Sequence, residues 1–165
     1  MAGAVGAAAA LMLAGIVPAA AADDDTIDMP DDALRACVNE AIDDNRDPEG
    51  VITEAEASAL SGSLECNQEG ISNIAGLQHF TSLTRLNLSG NQIEDLTPLA
   101  DLTSLTSLPI SGNQITDLAP LADLTEITRL YVSRNDLTDL SALENLTKIT
   151  HLGIAGLDID DLSPL

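Results

Sequence analysis

The chain has 165 residues and a formal net charge of −21, from 27 acidic and 6 basic side chains. It contains one Tyr, one Phe and no Trp, so aromatic packing cannot build its core, and the abundant Leu and Ile residues must do so. An acidic surface of this kind repels DNA, RNA and anionic lipid, which argues against nucleic-acid binding as a function.

Residues 1–22 predict a signal peptide. The segment carries no charge, its apolar stretch runs from Leu11 to Val17, and small residues at Ala20 and Ala22 precede an acidic run. We expect cleavage after Ala22, an extracytoplasmic location, secreted or at the cell surface, and no membrane insertion of the mature chain. An uncleaved anchor is the alternative, because no basic residues precede the apolar stretch.

Residues 23–70 predict an acidic N-terminal segment with two helices. Asp31 to Ile42 reads as an amphipathic helix, because Leu34, Val38 and Ile42 recur at helical spacing behind an acidic start. Glu54 to Leu60 reads as a second helix.

The chain has two cysteines, Cys37 and Cys66. In an oxidising compartment they most simply form one disulfide, which would contribute ~3 kcal/mol to stability. A zinc pair and two free thiols are the alternatives.

The segment between the two predicted helices, DDNRDPEGVITEAEA, resembles an EF-hand or dockerin-type calcium loop. Asp43, Asn45, Asp47 and Glu56 would supply oxygen ligands, which calcium prefers. Pro48 and Glu49, however, are inserted before the turn glycine of that pattern. The alternative is an acidic solvated loop whose Asp residues and Thr53 cap the flanking helices. Calcium is the one cofactor that the sequence suggests.

From Ile71 to Leu165 the sequence repeats without gaps at a period of 22 residues. The recurring apolar pair L-x-L predicts a short strand, because residues two apart point to the same side of a strand. Successive strands would stack into a parallel sheet at ~4.8 Å spacing. The repeated Asn after each strand would pair with backbone groups at a sharp turn, forming a ladder. These asparagines are Asn91, Asn113 and Asn135.

The stretches SGNQIEDLTPLADLTSL and SGNQITDLAPLADLTEI resemble the leucine-rich repeats of the internalin family. The resemblance implies an α/β leucine-rich-repeat solenoid over residues 71–165, of about four turns. It implies a parallel sheet on the concave face, short 3₁₀ or α turns on the convex face, and a small helical cap before the first repeat. Repeats of this family are often carried on secreted or wall-attached proteins, and the resemblance implies a protein partner bound on the concave sheet.

Three features depart from the family pattern. Leu157 stands where a fourth ladder asparagine is expected, and Pro109 lies within a predicted strand. The sequence also stops at Leu165 without the family's C-terminal cap or a wall-sorting signal, so wall attachment is not carried over from the family. We expect a fragment of a longer protein, and the alternative is that a partner or a second copy covers the last turn.

The outward positions of the predicted strands form columns along the sheet. Arg85, Arg129 and His151 share one column, and Tyr131 lies in the next. Arg and Tyr are the residue types that most often anchor protein interfaces, so we expect these four residues to form the ligand-binding patch. The alternative is that the two arginines only offset nearby acidic residues.

No catalytic constellation is recognisable in the sequence, and we expect no enzymatic activity. The leading hypothesis is a secreted or cell-surface protein-binding module. The alternative is a calcium-stabilised structural or adhesive spacer of a longer surface protein. Substitution of Arg129 or Tyr131 by alanine distinguishes the two, since only a binding module would lose its ligand.

Overall fold

The computed structural model describes residues 25–165, and the predicted signal peptide, residues 1–22, lies outside the described residues. The helices are α1 (Asp32–Ile42) and α2 (Glu54–Ala59). The strands are β1 (Thr26–Ile27), β2 (Ile52–Thr53), β3 (Gly62–Glu65), β4 (Leu83–Asn87), β5 (Ser107–Pro109), β6 (Arg129–Tyr131) and β7 (His151–Gly153). Within residues 25–165 no helix is long and apolar enough to cross a membrane.

Strands β3 to β7 form one parallel sheet in chain order, and β1 pairs with β2 in a separate antiparallel ribbon. On the other side of the repeats lie four short 3₁₀ turns, at Leu77–His79, Thr97–Leu99, Ala119–Leu121 and Ser141–Leu143. The α/β leucine-rich-repeat solenoid predicted from the sequence is confirmed. Pro109 lies in β5, as its position in the repeat indicates, and its carbonyl accepts a hydrogen bond from the Leu88 amide at 2.9 Å.

The sheet starts earlier than the first predicted repeat at Ile71. Strand β3 pairs in parallel with β4, with Leu64 opposite Leu86 and Glu65 opposite Asn87. The next residue, Cys66, is fully buried and donates its amide to the carbonyl of Asn87 at 2.9 Å. The first turn of the solenoid therefore carries a cysteine where later turns carry an aliphatic residue.

The core is a set of aligned aliphatic rows. Leu86, Leu108 and Leu130 occupy equivalent positions in adjoining strands and are completely buried. Leu99 and Leu121, in the 3₁₀ turns, are buried opposite them. No single turn encloses its own leucines, so each depends on its neighbours for burial.

Three asparagines form the predicted ladder inside the solenoid. The Asn113 amide nitrogen donates to the carbonyls of Leu88 and Ile110, both at 3.0 Å, and its Oδ1 accepts from the Ile93 amide at 3.1 Å. Asn91 and Asn135 make the equivalent bonds one turn earlier and one turn later. Each amide therefore joins two successive turns at buried backbone groups.

A second ladder, of threonines, runs along the entry to the strands. The hydroxyl of Thr106 donates to the carbonyl of Thr84 at 3.0 Å, and Thr128 and Thr150 repeat the contact, each with the threonine before it. Thr84 itself donates to Gly62. This ladder was not predicted from the sequence, although these threonines recur at the repeat period.

The two helices and the disulfide cover the first turn. Asp31 caps α1 by accepting the Leu34 amide at 3.0 Å, and its second oxygen accepts the amides of Ser72 and Asn73. Leu34 and Val38 are fully buried in the common core. Cys37 and Cys66 form the predicted disulfide, with Cα atoms 5.8 Å apart. The disulfide therefore joins α1 directly to the chain leaving β3.

Replacing Asn113 by alanine should lower the free energy of unfolding by about 3 kcal/mol, because two buried carbonyls and one buried amide lose their partner. Chemical denaturation followed by circular dichroism measures the loss. Asn145→Ala is the matched control, since Asn145 is an exposed asparagine of the same repeat array. Equal stability of the two variants would contradict a structural role for the ladder.

Candidate functional site

The solvent side of the β3 to β7 sheet, called here the concave face, brings the four predicted binding residues together. Arg85 lies opposite Ser107, Ser107 opposite Arg129, and Arg129 opposite His151. Tyr131 lies in the neighbouring column, between Pro109 and Gly153. The strand alternation that buries the leucines on one side turns all of these residues to the other.

At the N-terminal end of this face, Arg85 is paired with an acidic residue. Its Nε lies 2.7 Å from Oε1 of Glu65, whose carboxylate also accepts from Ser63 at 2.6 Å and from Asn87 at 2.8 Å. Although burial acts to raise it, these hydrogen bonds hold the pKa of Glu65 below its ordinary value. Arg85 thus offsets a nearby acid, which was the alternative interpretation of the arginines.

Glu65 was not predicted on this face, because the sequence indicates a cap over residues 23–70. The available signal was the period itself: Leu64 and Cys66 precede Leu86 and Leu88 by one repeat and mark a strand around Glu65.

The C-terminal half of the concave face is different. Arg129 is exposed, and no carboxylate of residues 25–165 lies within 4.0 Å of its guanidinium. Tyr131 is half-buried, and its ring lies against Gly153, where a Cβ atom would come within 2.8 Å of Cδ1. His151 is exposed, with Nδ1 2.9 Å from the Thr150 hydroxyl. An unpaired cation, an aromatic ring and an imidazole therefore lie on two adjoining strands.

On the opposite side, the repeated aspartates cap the convex turns. Asp95, Asp117, Asp139 and Asp161 each accept the amide two residues further along the chain, at 2.8 Å. Hydrogen bonds from Thr97 lower the pKa of Asp95, and those from Ser141 lower the pKa of Asp139. Backbone amides donate hydrogen bonds to these carboxylates, as expected of capping residues.

The loop predicted to bind calcium is closed by an arginine. Glu56 accepts both Nη atoms of Arg46, one of them at 3.1 Å, and Arg46 also donates to the carbonyl of Val51. Glu56 and Thr53 form a capping box at the start of α2, with the Thr53 amide 2.9 Å from Oε2. The guanidinium therefore already neutralises the carboxylate that would bind calcium with two oxygens.

The other predicted calcium ligands bond within the loop. Asp43 accepts the Asn45 amide at 3.0 Å, and Asp47 accepts the Glu49 amide at 2.9 Å. In the described part of the chain no three acidic, histidine or cysteine side chains are grouped so as to hold a metal ion, and Asp43, Asp47 and Glu56 are therefore not gathered. The structure lends the site no support, and calcium binding stays a prediction of the sequence.

Comparison with known proteins agrees with this geometry. The family model described as leucine-rich repeats (2 copies) matches the chain over residues 81–123 and again over residues 103–145. Among solved structures, the internalin InlF of Listeria monocytogenes is 36% identical over 83% of this chain, with a TM-score of 0.78. The functional domain of InlJ from Listeria monocytogenes is 30% identical over 82% of this chain, with a TM-score of 0.73.

The chain is an internalin-like leucine-rich-repeat protein. It spans 40% of the InlF chain and 29% of the InlJ chain. A leucine-rich-repeat protein of Leptospira interrogans has a TM-score of 0.57 and 28% identity over 63% of this chain and 27% of its own. Curated protein sequences give no match.

Glu56→Gln should destabilise the internalin-like chain at neutral pH and lose that effect in acid. The hydrogen bond from Arg46 lowers the pKa of Glu56 from 4.5 to about 2. A lowered folded-state pKa contributes stability above pH 4.5, and this contribution disappears as the pH falls towards 2. The measurement is the difference in free energy of unfolding between wild type and variant across this range.

Glu144→Gln is the control for this experiment, since Glu144 is exposed and forms no ion pair within residues 25–165. A stability difference for Glu56→Gln that did not change with pH would contradict the assigned role of the ion pair.

Proposed function

We propose that the chain is an extracytoplasmic protein-binding module that holds its partner on the concave face. The observation that carries the proposal is the convergence of Arg85, Arg129, Tyr131 and His151 on one face of adjoining strands. Arg85, Arg129 and His151 lie in different repeats, and only the stacking of the repeats brings them, with Tyr131 of the Arg129 strand, to one surface. Tyr and Arg are residue types enriched at interface hot spots, and the sheet fixes their backbone positions before binding, which favours affinity.

The local chemistry of the face also supports binding. Four of the six cations form ion pairs within residues 25–165, namely Arg35, Arg46, Arg85 and Lys148. Arg129 makes no such pair and stands beside Tyr131 on β6. In a chain with 27 acidic residues, an arginine left without a carboxylate is available to an external ligand.

The disulfide supports the extracytoplasmic part of the proposal, because a structural disulfide persists in an oxidising compartment. The predicted signal peptide points to the same location, and the solved structures most similar to the chain include internalins. Binding without catalysis is the activity that we propose. His79 pairs with Glu54, the first residue of α2, and His151, the first residue of β7, lies next to the Thr150 hydroxyl.

Tyr131→Ala and Arg129→Ala should each weaken peptide ligands of the chain by about tenfold or more, because each removes an anchor from the face without touching the core. Ligands are obtained by selecting a random-peptide display library on the immobilised chain, and their affinities are measured by isothermal titration calorimetry. Lys148→Ala is the control, since Lys148 pairs with Glu126 outside the concave strands.

Melting curves of all three variants should match the wild type. Selected peptides whose affinity is unchanged by both concave variants would contradict the proposal and favour a spacer role for the repeats.

A further inference from the structure

At the centre of the concave face lies a buried hydroxyl group without a partner. Ser107 is 4% exposed, and within the described residues its Oγ makes no hydrogen bond. It is aligned between Arg85 on one neighbouring strand and Arg129 on the other. The adjacent residue, Leu108, points into the core, so the Ser107 side chain lies on the ligand side of the sheet.

A buried hydroxyl without a hydrogen bond lowers the stability of a fold, and alanine at the same position would avoid this loss. Two polar side chains of the neighbouring strands β3 and β4, Glu65 and Asn87, have hydrogen-bond partners. Glu65 accepts three hydrogen bonds, and Asn87 donates to Glu65. Ser107 is therefore a hydroxyl donor without an acceptor among the described residues, while the Glu65 carboxylate near it already accepts three hydrogen bonds.

The two flanking arginines differ in how they are held. Arg85 is fixed through its Nε by Glu65, while its terminal Nη groups make no hydrogen bond to residues 25–165. Arg129 is held by no carboxylate of these residues, so its side chain can move to admit a ligand above Ser107. At the spacing of strands in a sheet, the two arginine backbones lie about 10 Å apart across Ser107.

The Ser107 hydroxyl between two guanidinium groups is a set of donors that suits one carboxylate ligand. Guanidinium groups bind carboxylates through paired N–H donors, and a serine hydroxyl adds a third donor of the right chemistry. Pro109 and Tyr131 lie two residues further along the same strands and present apolar surface beside the charged groups. A ligand with an acidic side chain next to an apolar one would contact both.

We propose that the concave face binds an acidic side chain of a protein partner, with its carboxylate over Ser107 between Arg85 and Arg129. This inference rests on the proposed binding function and adds the chemistry of the partner. The chain as a whole carries a net charge of −21. The partner should therefore carry this acidic residue within a neutral or basic segment, since a highly acidic segment would be repelled.

The test uses peptides selected from the random-peptide display library on the wild-type chain. Each acidic residue of a selected peptide is replaced by its amide, Glu by Gln or Asp by Asn, and affinities are measured by calorimetry. One such replacement should weaken binding to the wild type by about tenfold or more. Against the Ser107→Ala, Arg129→Gln double variant, the same replacement should change affinity by less than about twofold.

A control double variant, Ser104→Ala with Lys148→Gln, makes the same chemical changes outside the sheet strands. It should retain the full tenfold difference between acidic and amide peptides. Thermal unfolding of Ser107→Ala alone should give a melting temperature equal to or above that of the wild type, because no hydrogen bond is lost. A clear fall would show that the hydroxyl already has a partner and would overturn the proposal.

Different results would overturn the carboxylate site and the binding function. Peptides that need Tyr131 but bind equally well as acids and amides would overturn the carboxylate site and leave the binding function intact. Peptides that are indifferent to every concave variant would overturn the binding function itself.

Discussion

The structure depends on a buried side-chain amide that bonds two consecutive turns of the chain. Asn113 donates to the carbonyls of Leu88 and Ile110, which follow β4 and β5, and accepts the amide of Ile93 in the preceding turn. Asn91 makes the equivalent bonds one turn earlier. Unpaired buried backbone groups are costly, so a turn shifted by one residue would lose these bonds and also expose its leucines. The ladder therefore fixes the register in which every other row is aligned.

The strength of this constraint is visible at the turn that follows each strand. Glycines occupy the equivalent positions 90, 112 and 156, with φ angles of 74°, 68° and 71°. At the same position of the β6 turn stands Arg134, with a φ of 56°. The left-handed conformation costs a residue with a Cβ atom roughly 1–2 kcal/mol. The stacked register imposes this conformation even where the local sequence does not favour it.

The same register creates the concave face. Residues 22 positions apart meet in columns, so Arg129, which forms no ion pair within residues 25–165, lies beside Ser107 and His151 of the neighbouring repeats. The disulfide joins helix α1 of the cap to the same stack, because Cys66 occupies a core position in the first turn of the solenoid. Cap, core and concave face are therefore parts of one stack of turns.

Much of this could be predicted from the sequence, because a period of 22 residues indicates which side chains share a row. The solenoid, the ladder, α1, α2 and the pairing of Cys37 with Cys66 all follow from spacing or composition. The start of the sheet at Gly62 was not predicted, since Cys66 stands where the later repeats have an aliphatic residue.

Contacts that depend on the reach of individual side chains could not be predicted in this way. The closure of the acidic loop by Arg46 is one example, because an arginine within an apparent calcium pattern gives no signal in the spacing of the ligands. The burial of Ser107 is another, since a serine on the outward side of a strand is normally solvated. Both depend on what the folded chain places beside these residues.

Hydrogen exchange measured by NMR tests the central claim most directly. The amides of Ile71, Ile93 and Ile115 donate to ladder asparagines and belong to no helix or strand. The account predicts that they exchange as slowly as the amides of β5 and β6, since both are released only when the stack opens. Exchange at the rate of the exposed convex loops would contradict it.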